Sequence, residues 1–182
     1  HPGYYGAWLK STNDFYQPFA GLDMMYETFT AARHSSPQWV HLTTWNDLIE
    51  TALRPMAFTF GQMRVLEYYL GTLKGHSAPF TEPELVFAYH REEQPGTLLR
   101  IEAMNLPSEK NAAVTVRGRL LDLDGRPVFG LAEKRFAPGA FGRTEWLVPT
   151  ANLVRSPYLV PEFSVEAGDW KRTVRTPAVF FV

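Results

Sequence analysis

The chain has 182 residues, 45% of them hydrophobic, and its 18 lysines and arginines nearly balance 19 aspartates and glutamates, for a net charge of −1. That hydrophobic content suffices for a packed core and excludes a disordered chain, while the charge balance lacks the basic footprint of a nucleic-acid or acidic-membrane binder. Cysteine is absent, which excludes disulfide frameworks and thiolate sites, and no apolar run reaches the roughly 18 residues of a membrane helix.

The chain opens HPGYYGAW, with no initiator Met and no signal segment. These residues read as the end of a larger element, so a fragment of a longer protein is expected, and the missing leader carries no information on secretion. From Gly21 to Arg33, Leu22, Met25, Phe29 and Ala32 recur on one helical face. Arg33 and His34 suit that helix's C-terminus, and Ser35-Ser36-Pro37 stops it.

The stretch QWVHLTTW follows. It is β-branched and aromatic with little charge, as expected of a strand buried on both faces, with Trp39 in the core at its start. It ends on Trp45-Asn46-Asp47, with Glu50 three residues later. Pro55 fits the first turn of a second helix, in which Phe60, Met63, Leu66, Leu70 and Leu73 form an apolar stripe and Gly75 is a ready C-cap. Helix, strand, helix with a polar turn at the strand's C-terminal end is the grammar of a parallel α/β fold. A closed barrel needs roughly 200 residues or more. Residues 1–75 are therefore expected to be the C-terminal portion of a (β/α)8 TIM barrel whose remainder lies upstream.

Residues 76–83, rich in proline, read as a linker. Beyond them LVFAYHRE, TLLRIEAMNL, NAAVTVRGRLLDLDGRPVFGLAEKRF, RTEWLVP and VRTPAVFFV are short, β-rich and separated by turn residues. Asp124-Gly125 marks a hairpin. Residues 84–182 are thus expected to form an antiparallel β-sandwich. The fold class expected for the whole chain is α/β plus all-β.

Several chemistries are disfavoured at once. The five histidines show no metal-ligand spacing, and there is no Gly-x-Ser-x-Gly elbow, phosphate loop or dinucleotide fingerprint. No metal and no cofactor is expected. The carboxylates Asp47 and Glu50 remain, and they admit two readings. Asp-x-x-Glu before a helix is a capping arrangement, which contributes about 0.5–2 kcal/mol to a helix start. At the end of a parallel strand the same pair is also placed for catalysis. Glycoside hydrolysis needs one protonated and one ionised carboxyl across the scissile bond, about 6.5–9.5 Å apart when the anomer inverts. A three-residue separation spans about 5 Å when helical and up to about 10 Å when extended.

Around the pair, Trp45 offers an aromatic face for a sugar ring and Asn46 an amide for its hydroxyls. Tyr4, Tyr5 and Trp8 crowd another expected strand end, where they either stack on sugars or pack beneath a loop. Trp146 and Trp170 fall in the sandwich and are read as core or hairpin packing rather than a carbohydrate-binding face.

The segment TTWNDLIET resembles TWNDYGES, the signature of glycoside hydrolase family 71, the α-1,3-glucanases or mutanases. HPGYYGAW is similar to the family's Ser-Pro-aromatic-aromatic strand end, LEYYLGTLKG to its Tyr-Tyr-x-x-x-Lys-Gly helix end, and LVFAYHRE to its aromatic-Tyr-x-Arg strand. The likeness spans residues 1–92 and extends to the remainder only as a sandwich after a barrel. It implies that Asp47 and Glu50 are catalytic carboxylates in a secreted, extracellular or periplasmic enzyme. Leu48 and Ile49 stand where the family has Tyr-Gly, and Thr51 replaces Ser. Without that glycine the turn between the carboxylates loses easy access to positive φ.

The expected function is hydrolysis of a polysaccharide, an α-glucan by the resemblance, with Glu50 as general acid and Asp47 as general base. No nucleic-acid or membrane partner is expected, and the oligomeric state is left open. Three alternatives stand beside this reading. One is a family 99-like α-mannan hydrolase, whose strand end carries a similar Trp-Asn-acid-x-x-Glu. The others are a non-catalytic carbohydrate-binding accessory protein and a purely structural sandwich.

Overall fold

A computed structural model of the chain describes residues 22–39, 60–76, 79–151, 153 and 156–182. The chain divides after Pro79 into two compact units. The first unit contains helices α1 (Asp23–Ser35) and α2 (Phe60–Leu73). Helix α1 starts behind the buried Leu22 and stops at Ser36, whose left-handed backbone (φ 47°) turns its N–H back to the Arg33 carbonyl. Helix α2 closes on a Schellman motif. Gly75 takes φ 85°, the His76 N–H bonds the Gly71 carbonyl at 3.0 Å, and the Gly75 N–H bonds that of Thr72 at 3.1 Å.

The barrel expectation is overturned. All named strands lie from Glu84 onward, nearly all pair antiparallel, and no (β/α)8 barrel is present among the described residues. Among the described residues the only parallel contacts are the two-residue pairing of β2 with β9 and a bridge between Phe80 and Ser108. The described start of QWVHLTTW is not strand, and Trp39, expected in the core, is 78% exposed. The physical reason lies in what periodicity reports. An apolar stripe says that a helix buries one face but not against what. Here α1 and α2 pack on each other, with the rings of Phe29 and Tyr69 stacked at 4.5 Å.

The second unit is a two-sheet sandwich. One sheet has the order β1 (Glu84–Tyr89), β3 (Leu98–Leu106), β6 (Gly142–Pro149). The other runs β2 (Glu92–Glu93), β9 (Val179–Phe181), β7 (Tyr158–Ala167), β4 (Val114–Leu121), β5 (Pro127–Phe136), with β8 (Trp170–Arg175) also paired to β7. The chain changes sheets between β3 and β4 and again on either side of β6, and β1 and β2 split between the two sheets. This is the order of an immunoglobulin-like sandwich, an architecture that serves many functions and specifies none.

Period-2 alternation builds the core. Leu99, Ile101 and Ala103 of β3 and Trp146 and Val148 of β6 point inward from the smaller sheet. From the larger sheet Val116, Leu120, Phe163 and Val165 meet them. Phe163 is fully buried and stacks on Phe87 across the two sheets with centroids 3.9 Å apart. Trp146 carries a polar tip, and its indole N–H donates to the Ala132 carbonyl at 2.6 Å, where β5 bulges against β4. The two tryptophans read as packing are so placed: Trp146 is core, and Trp170 packs half-buried against it.

The hairpin at Asp124-Gly125 is present between β4 and β5. The Asp122 carboxylate accepts from the N–H groups of Asp124 and Arg126 at 2.9 and 2.8 Å, and Gly125 supplies φ 77°. Strand β7 lies outside the β-rich segments read from the sequence, as does most of β8; Pro161 interrupts β7, and a proline demotes a strand. Thr176 donates its N–H to the Pro161 carbonyl from the break between β8 and β9, both of which pair with the same edge of β7. The donor that proline lacks would face that same break, so no sheet bond is lost.

Gly118 sits where β4 crosses under Phe163. A Cβ there would lie 2.7 Å from Leu131 Cδ1 and 3.0 Å from Phe163 Cδ1. Gly118→Val is expected to destabilise the protein by about 1–3 kcal/mol through overpacking, read as a lower urea midpoint at unchanged slope.

Candidate functional site

Asp47, Glu50, Trp45, Asn46, Tyr4, Tyr5 and Trp8 all lie outside the described residues. What the structure describes is the pair of helices that bracket the Trp-Asn-Asp segment in the chain. The two helices meet where Phe29 stacks on Tyr69, and α2 buries Val65, Leu66, Tyr68 and Tyr69. Of the expected Met63–Leu66–Leu70–Leu73 stripe, Leu66 is buried, Met63 and Leu70 are half-buried and Leu73 is exposed. Burial pushes the phenols of Tyr68 and Tyr69 above their ordinary pKa, and the charge of Arg33 pulls both part of the way back. Among the described residues the buried Tyr69 hydroxyl has no hydrogen-bond partner.

Met63, Leu66 and Leu70 of that stripe line an open groove of about 590 Å³ in the same unit, together with Gly71 and Pro79 and with Glu67, Lys74 and His76 among its polar groups. Glu67 is engaged by Arg64 at 2.7 Å. The groove has the apolar floor of a ligand site, with the titratable groups Glu67, Lys74 and His76 on its lining. Among the described residues no group of His, Asp and Glu side chains could hold a metal ion.

The sandwich builds a second surface. The outward positions of β4, β5, β7 and β8 carry charge in cross-strand rows. Glu162 lies between Arg119 and Arg175, each at 2.6 Å. Glu166 lies between Arg117 at 2.9 Å and Lys171 at 3.4 Å. Glu133 lies between Arg117 at 2.8 Å and Arg135 at 2.6 Å. Each carboxylate is thus shared by two cations. On the smaller sheet's outward face, Arg100 reaches Glu145 at 2.6 Å and the buried Glu102 at 3.3 Å.

These bonds set the acid behaviour. Hydrogen bonding from Arg175, then from Arg119, holds the Glu162 carboxyl below its ordinary pKa despite the opposing effect of burial. Arg135 does the same for Glu133, and Arg117 for Glu166. A carboxylate with a depressed folded pKa contributes stability that is fully present above the unfolded value of 4.5 and is lost as pH falls through the folded pKa. The urea midpoint is therefore expected to fall more steeply below pH 4.5 in the wild type than in Glu162→Gln. Equal slopes would remove Glu162 from this role.

Sequence reasoning singled out none of these charged residues. The signal was present in VTVRGR, EFSVE and WKRTVR, where a polar or charged residue recurs every second position opposite a mostly apolar set. Reading it requires knowing which strands are neighbours, and that is set by the sheet order. No helix among the described residues is long and apolar enough to cross a membrane. No protein-family model matches the chain, and no curated protein matches it.

Proposed function

We propose that this protein is a glycoside hydrolase acting on a polysaccharide, an α-1,3-linked glucan in the first instance, with Glu50 as general acid and Asp47 as the base that activates water. The observation that carries the reading is the segment TTWNDLIET, which sets two carboxyls three residues apart behind Trp45 and Asn46. Its flanks are consistent with it. LEYYLGTLKG, which resembles the family's helix end, is the C-terminal part of α2 and stops at Gly75 in a Schellman turn.

The division of labour follows from charge. The acid must hold a proton at working pH, which a desolvated carboxyl does, and the base must stay ionised, which a solvated one does. Trp45, Tyr4, Tyr5 and Trp8 supply aromatic faces for the apolar sides of sugar rings, and Asn46 a donor and an acceptor for hydroxyls. The test is release of reducing ends from α-1,3-glucan by the full-length protein, with a β-linked glucan as control. Release from the α-glucan alone is expected. Absence of release from any α-glucan or α-mannan would overturn the reading.

A further inference from the structure

We propose that the outward face of the larger sheet is a binding surface for an acidic polysaccharide, one that bears carboxylate or sulfate groups along its chain. Five cations, Arg117, Arg119, Arg135, Lys171 and Arg175, share three carboxylates there, so two positive charges are left over on a protein whose net charge is −1.

The layering of the groups makes the face more cationic than this sum. The Glu162 side chain is 8% exposed, whereas Arg119 and Arg175 above it are 52% and 64% exposed. A partner arriving from solvent meets guanidinium groups, with the carboxylates beneath them. Arg175 uses its Nε on Glu162, and Arg119 its Nε and one terminal nitrogen. Each fork carries five N–H groups, so donors remain to grip a second carboxylate or a sulfate.

The spacing suits a polymer rather than a single ion. Glu162 and Glu166 stand four residues apart on β7, about 13 Å along the strand, as do their partners Arg175 and Lys171 on β8. Between them lie the paired Ser164 and Thr173, whose hydroxyls suit those of a sugar, with Arg117 of β4 opposite Ser164, so that cations line the whole length. Among the described residues no aromatic side chain lies between the clusters to stack a base, which disfavours single-stranded nucleic acid. Nor does any apolar side chain there suit a lipid surface. None of these cations belongs to the segment that holds Asp47 and Glu50, and binding is expected to persist in Asp47→Asn.

Native affinity electrophoresis of the full chain tests the assignment, with polygalacturonate, dextran or single-stranded DNA cast in the gel. Retardation by polygalacturonate alone is expected. Lys171→Gln with Arg135→Gln removes two well-exposed cations and is expected to weaken binding about three- to tenfold. Glu166→Gln adds to the positive surplus and is expected to strengthen it, a sign that a purely structural ion pair would not give. No retardation by polygalacturonate, variants indistinguishable from wild type, or equal retardation by dextran or DNA would overturn the proposal.

Discussion

Asp47→Asn and Glu50→Gln are each expected to lower the rate of polysaccharide hydrolysis by about 10²–10⁴, with the melting temperature held within a few degrees. The amides keep the shape of the side chains and much of their hydrogen bonding, but neither can give or take the proton. A capping role predicts the reverse. Losing an N-cap costs about 0.5–2 kcal/mol of helix stability and leaves the chemistry untouched. The two roles thus separate on two readouts from the same variants, initial rate and thermal midpoint. Wild-type rates in both variants would remove these residues from the reaction.

Phe163→Ala is expected to be the most damaging substitution in the sandwich, at about 3–5 kcal/mol. Phe163 is fully buried, stacks on Phe87 at 3.9 Å, and meets Trp146 at a centroid distance of 5.9 Å. It thus packs from the larger sheet onto two strands of the smaller one, β1 and β6. Truncation leaves a cavity that Gly118, having no side chain, cannot fill. For a domain of this size each kcal/mol moves the midpoint by about 4–8 °C, so a fall well above 10 °C is expected. Phe163→Leu, which retains most of the volume, is expected to cost markedly less. A loss under about 1 kcal/mol for the alanine variant would mean that the core is not organised around this ring.

The parts of the structure legible in the sequence are those fixed by local chemistry. Arg33-His34-Ser35-Ser36 stops α1, Gly75 ends α2, and Asp122-x-Asp124-Gly125 turns β4 into β5 because the side-chain and backbone bonds involved span only a few residues. What was not legible depends on partners far along the chain. A proline inside β7 reads as a strand breaker until β8 and β9 are seen to part beside it. The apolar stripe of α2 reads as a face for a barrel, whereas Val65, Tyr68 and Tyr69 are its most buried side.

The site divides along the same line. The spacing of Asp47 and Glu50 is a local feature and can be read directly. The rows through Glu162 and Glu166 exist only because β4, β7 and β8 are neighbours, with Arg119 opposite Glu162 and Glu162 opposite Arg175. No window of sequence holds that information.

Asp47 and Glu50, three residues apart, are proposed to hydrolyse a glycosidic bond with a water between them. Proton NMR of the anomeric region, recorded during the first minutes of α-1,3-glucan hydrolysis, tests it most directly. Direct attack of water activated by Asp47 gives the β anomer first, followed by mutarotation toward equilibrium. First appearance of the α anomer would require a covalent glycosyl-enzyme and a closer pair of carboxyls, and would contradict the roles given to Asp47 and Glu50.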